Sequence, residues 1–212
     1  NTPLVISATV SALGAIDINE LSGPITVTLA QTNDGNITIN STGGTLTATT
    51  ITAGNGAAVS GNGNITLSTT TSGNVALGVA TAAGDRVTVN AVDAITDGDA
   101  GNDVTANELV LIGPDGVATE ADPLETTVSF VEASALTVAL ATDGIFLRNT
   151  GALTVGGLTG LVGIQTNGTI DVRAASPITV TENVIATGGN GFGLMALTVA
   201  TVGQSQVLVG AV

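Results

Sequence analysis

The chain has 212 residues, a formal net charge of −14, three basic residues, and neither histidine nor cysteine. So acidic a surface excludes binding to nucleic acid or to an anionic membrane, and the missing His, Cys and Lys exclude the catalytic devices that use them. No apolar run approaches the ~18 residues of a membrane helix, so no membrane insertion is expected. Divalent cations are the partners that such a surface favours.

Short runs in which Thr alternates with Ile, Val or Leu follow one another along the chain, separated by glycine or Asn-Gly turns. This period-two alternation predicts strands with one buried and one polar face. The predicted strands of the first half are 4–7, 15–18, 25–29, 36–40, 45–52, 64–69, 74–80 and 86–91. Those of the second half are 108–112, 126–131, 135–141, 145–149, 152–155, 161–165, 169–174, 178–182, 184–186, 194–202 and 206–209. Helical signals are nearly absent, and the β-branched centre of residues 124–135 favours a strand there too.

Several of these strands are near copies of one another. Residues 35–39 read GNITI and residues 63–67 read GNITL, while PITVT occurs at both 24–28 and 177–181. Stacked coils resemble one another because each coil meets the same environment, whereas the strands of a sandwich do not. We therefore predict an all-β fold, a right-handed parallel β-helix (β-solenoid). It would occupy residues 1–212 as a single unit of about eight to ten coils, with roughly 20–28 residues per coil.

Two acidic stretches interrupt the strand pattern. Residues 93–103 (DAITDGDAGND) and 113–123 (GPDGVATEADP) are predicted to be loops that leave the rod. In the first loop Asp97, Asp99 and Asp103 are predicted calcium ligands, because closely spaced carboxylates with glycines between them suit an oxygen-only site. The alternative is a solvated acidic loop whose Asp and Asn side chains cap turns. No other cofactor and no catalytic residue is predicted.

Asparagine is the first residue of three of the predicted strands, at Asn36, Asn64 and Asn74. If these positions stack in successive coils, each side-chain amide can satisfy a turn amide of the neighbouring coil. We therefore interpret these asparagines as a structural ladder rather than as a binding site.

Residues 109–156 carry a more specific pattern: a leucine-rich strand, a loop, and then the segments PLET (123–126), GIFL (144–147) and LTV (153–155), with Asn149 and Gly151 between the last two. This pattern resembles the repeat of very large secreted bacterial surface proteins of the filamentous-haemagglutinin-like, β-strand-repeat class. The resemblance implies a right-handed β-helix exported to the cell surface, with a role in adhesion, biofilm or envelope structure. It brings no catalytic residues with it.

These observations lead us to expect a non-enzymatic structural segment of a bacterial extracellular or cell-surface solenoid, within a larger adhesin-like or fibre-forming protein. Neither residues 1–11 nor residues 204–212 read as a polar cap, so we expect continuation into a longer chain or head-to-tail self-association. Two alternatives stay open. One is a calcium-dependent adhesin module that binds a cell-surface or glycan ligand through residues 93–103. The other is a polysaccharide-active β-helix enzyme that uses a carboxylate pair.

Overall fold

The computed structural model describes residues 2–11, 14–54, 63–139, 143–158, 160–188 and 192–196. Within these ranges the regular structure is all β. In the same part of the chain, no helix has the length and apolar character needed to span a membrane. The β-branched residues that alternate with polar ones suit a pleated strand with one buried face, so the local sequence and the observed elements agree.

The strands of the described ranges are numbered β1 to β19 in chain order. The first nine are β1 Leu4–Val10, β2 Ile16–Glu20, β3 Ile25–Thr32, β4 Ile37–Gly43, β5 Leu46–Ala53, β6 Ile65–Ser72, β7 Val75–Asn90, β8 Ala94–Asp97 and β9 Val104–Ile112. The remaining ten are β10 Gly116–Val117, β11 Leu124–Thr127, β12 Phe130–Ala135, β13 Gly144–Asn149, β14 Leu153–Val155, β15 Ile164–Thr166, β16 Thr169–Ala174, β17 Ile178–Val180, β18 Val184–Ala186 and β19 Phe192–Ala196.

Each strand pairs in parallel with a strand one turn further along the chain. In the first turns β1 pairs with β3, β3 with β5 and β5 with β7. A parallel pair needs a long crossover, and here the rest of the turn supplies it without a helix. The chain therefore winds in about eight stacked turns, which confirms the predicted parallel β-solenoid.

One turn of the solenoid is called a coil below. The first three coils are formed by β1 and β2, by β3 and β4, and by β5 and β6. The fourth coil is formed by the single long strand β7, and the fifth by β8 and β9. The sixth consists of β10, β11 and β12, which pair with the strands of the fifth. The seventh consists of β13 to β15 and the eighth of β16 to β18.

The core consists of aliphatic columns that run along the axis. Two in-register columns are formed by buried side chains at equivalent places in successive coils: Ile25, Leu46, Val75, Ile95, Val117, Ile145 and Ile170 in one, and Ile16, Ile37, Ile65, Val87, Leu109, Val131 and Val155 in the other. Branched aliphatic residues of similar size stack closely in this way. The near-absence of aromatic residues follows, since the interior of a coil has no thick centre to fill.

The predicted asparagine ladder is confirmed. The Oδ1 atom of Asn36 accepts a hydrogen bond from the backbone N–H of Asn64 at 3.0 Å, and Oδ1 of Asn64 accepts one from the N–H of Arg86 at 3.0 Å. Asn74 accepts from the N–H of Ala94 at 3.0 Å in the same manner. Each side chain thus satisfies a backbone donor of the next coil at a place where the chain turns.

The structure corrects the two predicted loops, residues 93–103 and 113–123. Each contains a strand, β8 in the first and β10 in the second. Their central residues Ile95 and Val117 continue the aliphatic column above Val75, so burial holds them in the sheet despite the surrounding Asp and Gly. Residues 98–103 and 118–123 do lie outside the strands, as predicted.

Further differences concern strand boundaries. The predicted strand 126–131 is two strands, β11 and β12, and between them the N–H of Val128 bonds to the side-chain Oδ1 of Asn149 at 2.9 Å instead of to a backbone carbonyl. The predicted strand 135–141 is wrong over residues 136–139, which carry no regular structure. The predicted strand 206–209, residues 197–202 of the strand before it, and the segment 204–212 lie outside the described residues.

We expect Leu67→Ala to lower the free energy of unfolding by about 2–4 kcal/mol. Leu67 is fully buried between Ile39 and Val89 of the adjacent coils, so truncation leaves a cavity in a stacked column. Urea denaturation followed by circular dichroism measures the change. Thr66→Ala, on the outward side of the same strand, is the control and should cost less than about 1 kcal/mol. Equal losses in the two variants would contradict the columnar core.

Candidate metal centre

The acidic loop between β8 and β9 arises from a difference in length between two stacked coils. Asp97 pairs with Leu77, and Val104 pairs with Ala80. In the fourth coil two residues, 78 and 79, join Leu77 to Ala80, while residues 98–103 join their partners in the fifth. The additional residues cannot fit in the wall of the solenoid, so they leave it. Residues 98–103 therefore form a local bulge, and the end of β8 and the start of β9 lie next to each other at its base.

The bulge brings all three predicted ligands together. One carboxylate oxygen from each of Asp97, Asp99 and Asp103 lies within 4.8 Å of the others. Asp97 is half-buried, Asp99 is exposed and Asp103 is fully buried. In the described part of the chain, this is the one group of three or more His, Cys, Asp or Glu residues placed closely enough to share an ion.

Backbone amides hold these carboxylates in place. Oδ1 of Asp97 accepts from the N–H of Asp99 at 2.9 Å, and Oδ1 of Asp99 accepts from the N–H of Gly101 at 2.6 Å. Oδ2 of Asp103 accepts from the N–H of Glu125 at 2.7 Å. The turn-capping interpretation of this loop is therefore correct for one oxygen of Asp97 and one of Asp99, whereas Asp103 binds an amide of the next coil.

The second oxygens of Asp97 and Asp103 are buried without a hydrogen-bond partner. These atoms are Oδ2 of Asp97 and Oδ1 of Asp103, and a third atom, Oε2 of Glu125, is in the same condition. A buried acceptor without a donor costs free energy, and native proteins contain few of them. Three such atoms among neighbouring acidic residues need either a proton, which Asp103 shares with Asp97, or a cation from solution.

Glu125 is the residue that the sequence analysis did not include in the site. It lies on β11, where Thr126 pairs with Val104, so Glu125 is beside Asp103 in the next coil. The backbone confirms this placement, since the N–H of Asp103 donates to the carbonyl of Glu125 at 2.9 Å. The two residues are 22 positions apart, which is one coil. Adding one coil length to Asp103 would have identified it.

Burial makes ionisation of Asp103 and Glu125 unfavourable. Burial is the largest cause that raises the pKa of Asp103 to about 8, and the N–H of Glu125 opposes it. The charge of Asp97, a side-chain hydrogen bond to Asp97 and the charge of Glu125 raise this pKa further. Burial, followed by the charge of Asp97, also raises the pKa of Glu125. No protein cation offsets these charges, because Arg86 pairs with Glu108, and Arg148 and Arg173 both pair with Asp171.

Two other carboxylates, one buried and one half-buried, are satisfied differently. Glu132 is fully buried, and its two oxygens accept from the N–H groups of Leu158 and Leu161 at 2.8 and 3.3 Å. Glu182 accepts from two glycine amides, those of Gly157 and Gly163, at 3.1 and 2.8 Å. In both residues the backbone uses each oxygen, so these glutamates close a loop and leave nothing for a ligand. The cluster around Asp103 differs because Asp97, Asp103 and Glu125 each have one buried oxygen that accepts no hydrogen bond.

The free oxygens suit a hard divalent cation. Calcium binds six to eight oxygens at 2.3–2.6 Å, so two ligands on opposite sides of the ion are about 4.6–5.2 Å apart. The carboxylate oxygens of Asp97, Asp99 and Asp103 lie within 4.8 Å of one another, which is close enough for one ion to reach all three. Magnesium keeps several waters and is usually bound by one or two carboxylates, so a group of three carboxylates favours calcium. Asp97, Asp99 and Asp103 are the residues that could share the ion, and Glu125 adds a buried oxygen beside Asp103.

No protein-family model, curated protein or solved structure matches the chain. A functional interpretation is therefore supported by the solenoid and by the carboxylate cluster themselves. The resemblance of residues 109–156 to secreted β-strand-repeat proteins stays a prediction.

In a calcium-free buffer, the stability of the chain should fall as the pH rises from about 5 to about 8. The unfolded Asp103 loses its proton near its ordinary pKa of 3.8, while the folded one keeps it to about 8, so the folded state binds more protons across this window. Urea midpoints measured in chelator at several pH values test this slope. Asp103→Asn should reduce it, and Asp17→Asn on the exposed side of β2 is the control. A slope equal in all three proteins would contradict the assignment.

Proposed function

We propose that the chain is a non-enzymatic structural segment of a bacterial extracellular or cell-surface β-solenoid, which serves as a rod, stalk or filament. The observation that carries the proposal is the parallel stacking of successive coils from β1 to β19, which is interrupted only by local register shifts in the described residues. Each coil contributes about 4.8 Å along the axis, so about eight coils give a rod of about 40 Å. The described coils are thus stacked along one axis, and such a rod suits a structural element that holds other parts of a protein apart.

The side chains facing outwards support this role. They are mainly Thr and Asn with scattered carboxylates, and the net charge of −14 favours solubility and opposes non-specific association. A polar surface groove of about 620 Å³ lies against the outer side of β4, β6 and β7. Arg86 and Glu108 are among the residues that line this groove, and a guanidinium nitrogen of Arg86 lies 2.6 Å from Oε2 of Glu108 in an ion pair.

The resemblance of residues 109–156 suggests the parent protein. The PLET segment lies on β11 and the GIFL segment on β13, and these strands pair in register through Leu124 and Leu147. The pattern therefore extends over two stacked coils, which suits a repetitive solenoid. We therefore place the segment in a large secreted protein of the filamentous-haemagglutinin-like, β-strand-repeat class, with roles in adhesion, biofilm or envelope structure. Extension by a longer chain or by head-to-tail self-association belongs to the same proposal.

Immunogold electron microscopy with antibodies against this segment tests the proposal in the source organism. We expect gold on intact, unpermeabilised cells and on fibrous material outside the envelope. A cytoplasmic marker protein labelled in parallel should become accessible only after permeabilisation. Labelling of the segment that also requires permeabilisation would overturn the extracellular role.

The second candidate function is a calcium-dependent adhesin module with a cell-surface or glycan ligand. The observation that favours it is the carboxylate cluster, whose loop extends from the rod at the exposed Asp99. Cells or immobilised glycans incubated with the purified chain should then retain it in calcium and release it in chelator. Asp99→Asn should lose this retention, while Glu120→Gln, another exposed carboxylate, should keep it. Retention that is equal in calcium and chelator would reject this candidate.

A further inference from the structure

We propose that Asp97, Asp99, Asp103 and Glu125 bind one calcium ion, which fastens the 98–103 bulge to the rod and links the fifth coil to the sixth. The inference depends on the carboxylates alone and not on the proposed rod function. Its test uses the purified chain, so failure of the calcium site and failure of the cell-surface role are separate results.

The argument begins with Asp103, because this side chain cannot be explained as part of a solvated loop. It is fully buried, and its Oδ1 has no hydrogen-bond partner. The carboxylate of Asp103 belongs to the group in which one oxygen of each residue lies within 4.8 Å of the others. A buried carboxyl oxygen without a partner is unfavourable, and coordination by a cation is one way in which proteins satisfy it.

Protein cations are not available for this purpose. The three arginines are the only basic side chains of the sequence. Arg148 is nearest in register, since it pairs with Glu125 across β11 and β13. Its guanidinium turns to the next coil, where it donates to the carbonyl of Asp171 at 3.2 Å and to the carboxylate of Asp171 at 2.8 Å. A positive charge for the cluster therefore has to come from solution.

The carboxylates are also held in orientation before an ion arrives. The N–H of Asp99 fixes Asp97, the N–H of Gly101 fixes Asp99 and the N–H of Glu125 fixes Asp103. Outer hydrogen bonds of this kind orient ligands and reduce the entropy lost on binding. The exposed side at Asp99 leaves room for water, which completes the six to eight oxygens that calcium requires.

Three coils meet at the proposed site. The carbonyl of Asp103 accepts from the N–H of Ala80 in the fourth coil at 2.6 Å, and its carboxylate reaches Glu125 in the sixth. Gly78 of the fourth coil lies beneath Asp99, and a Cβ atom there would stand 3.3 Å from Oδ2 of Asp99. The ion would thus stabilise the rod at the bulge of residues 98–103, where β8 and β9 are not continuous.

Isothermal titration calorimetry of the chelator-treated chain tests the site directly. We expect one calcium ion per chain with a Kd of about 10⁻⁵–10⁻³ M, and magnesium binding at least about tenfold weaker. At a calcium concentration about ten times Kd, the Tm should rise by about 3–6 °C. Absence of both the heat and the Tm shift would overturn the site, and equal affinity for magnesium would overturn its assignment to calcium.

Two variants and one control identify the ligands. Asp103→Asn and Asp99→Asn should each weaken calcium binding at least about tenfold, while Glu120→Gln removes one exposed charge nearby and should bind like the parent chain. Asp99 is exposed, so its variant is expected to fold even if the buried Asp103→Asn variant does not, and far-UV circular dichroism checks both. Unchanged affinity in a folded Asp99→Asn variant, or an equal loss in Glu120→Gln, would contradict the proposed ligand set.

Discussion

The parallel, in-register pairing of each coil with the next is the interaction on which the rest of the structure depends. It places like residues above one another, so that Ile37 meets Ile65 and Ile39 meets Leu67. Columns of branched aliphatic side chains then fill a thin interior without aromatic residues. The same register aligns asparagines at the turns, where each side chain satisfies a backbone donor of its neighbour. Core and turns are thus consequences of a single constraint.

Register can be kept only if coils of different length place their additional residues outside the wall. The fourth coil needs two residues between its paired positions 77 and 80, and the fifth uses residues 98–103 for the same step. Because paired strands on both sides hold the ends of the bulge, Asp97 and Asp103 are forced together at its base. Carboxylates gathered in this way would repel one another in a chain without free basic groups, and a divalent cation removes that conflict.

Buried carboxylates therefore have two roles in this solenoid. Glu132 and Glu182 accept hydrogen bonds from loop amides with both oxygens and act as internal supports. Asp97, Asp103 and Glu125 each keep one buried oxygen free, which makes the bulge the chemically distinctive part of an otherwise repetitive wall. The proposed function and the proposed site are compatible, but neither requires the other.

Local pattern was sufficient to predict the all-β solenoid, the Asn36–Asn64 ladder and the grouping of Asp97, Asp99 and Asp103, because each depends on alternation, repetition or short spacing in the chain. Tertiary structure alone decided that Ala94–Asp97 and Gly116–Val117 are strands, since their Asp- and Gly-rich surroundings hide the stacking of Ile95 and Val117. It also decided that Glu125 joins the cluster and which carboxylate oxygens stay free. Register between coils is a contact between residues about 22 positions apart, and coil length varies along the chain, so local sequence cannot specify it.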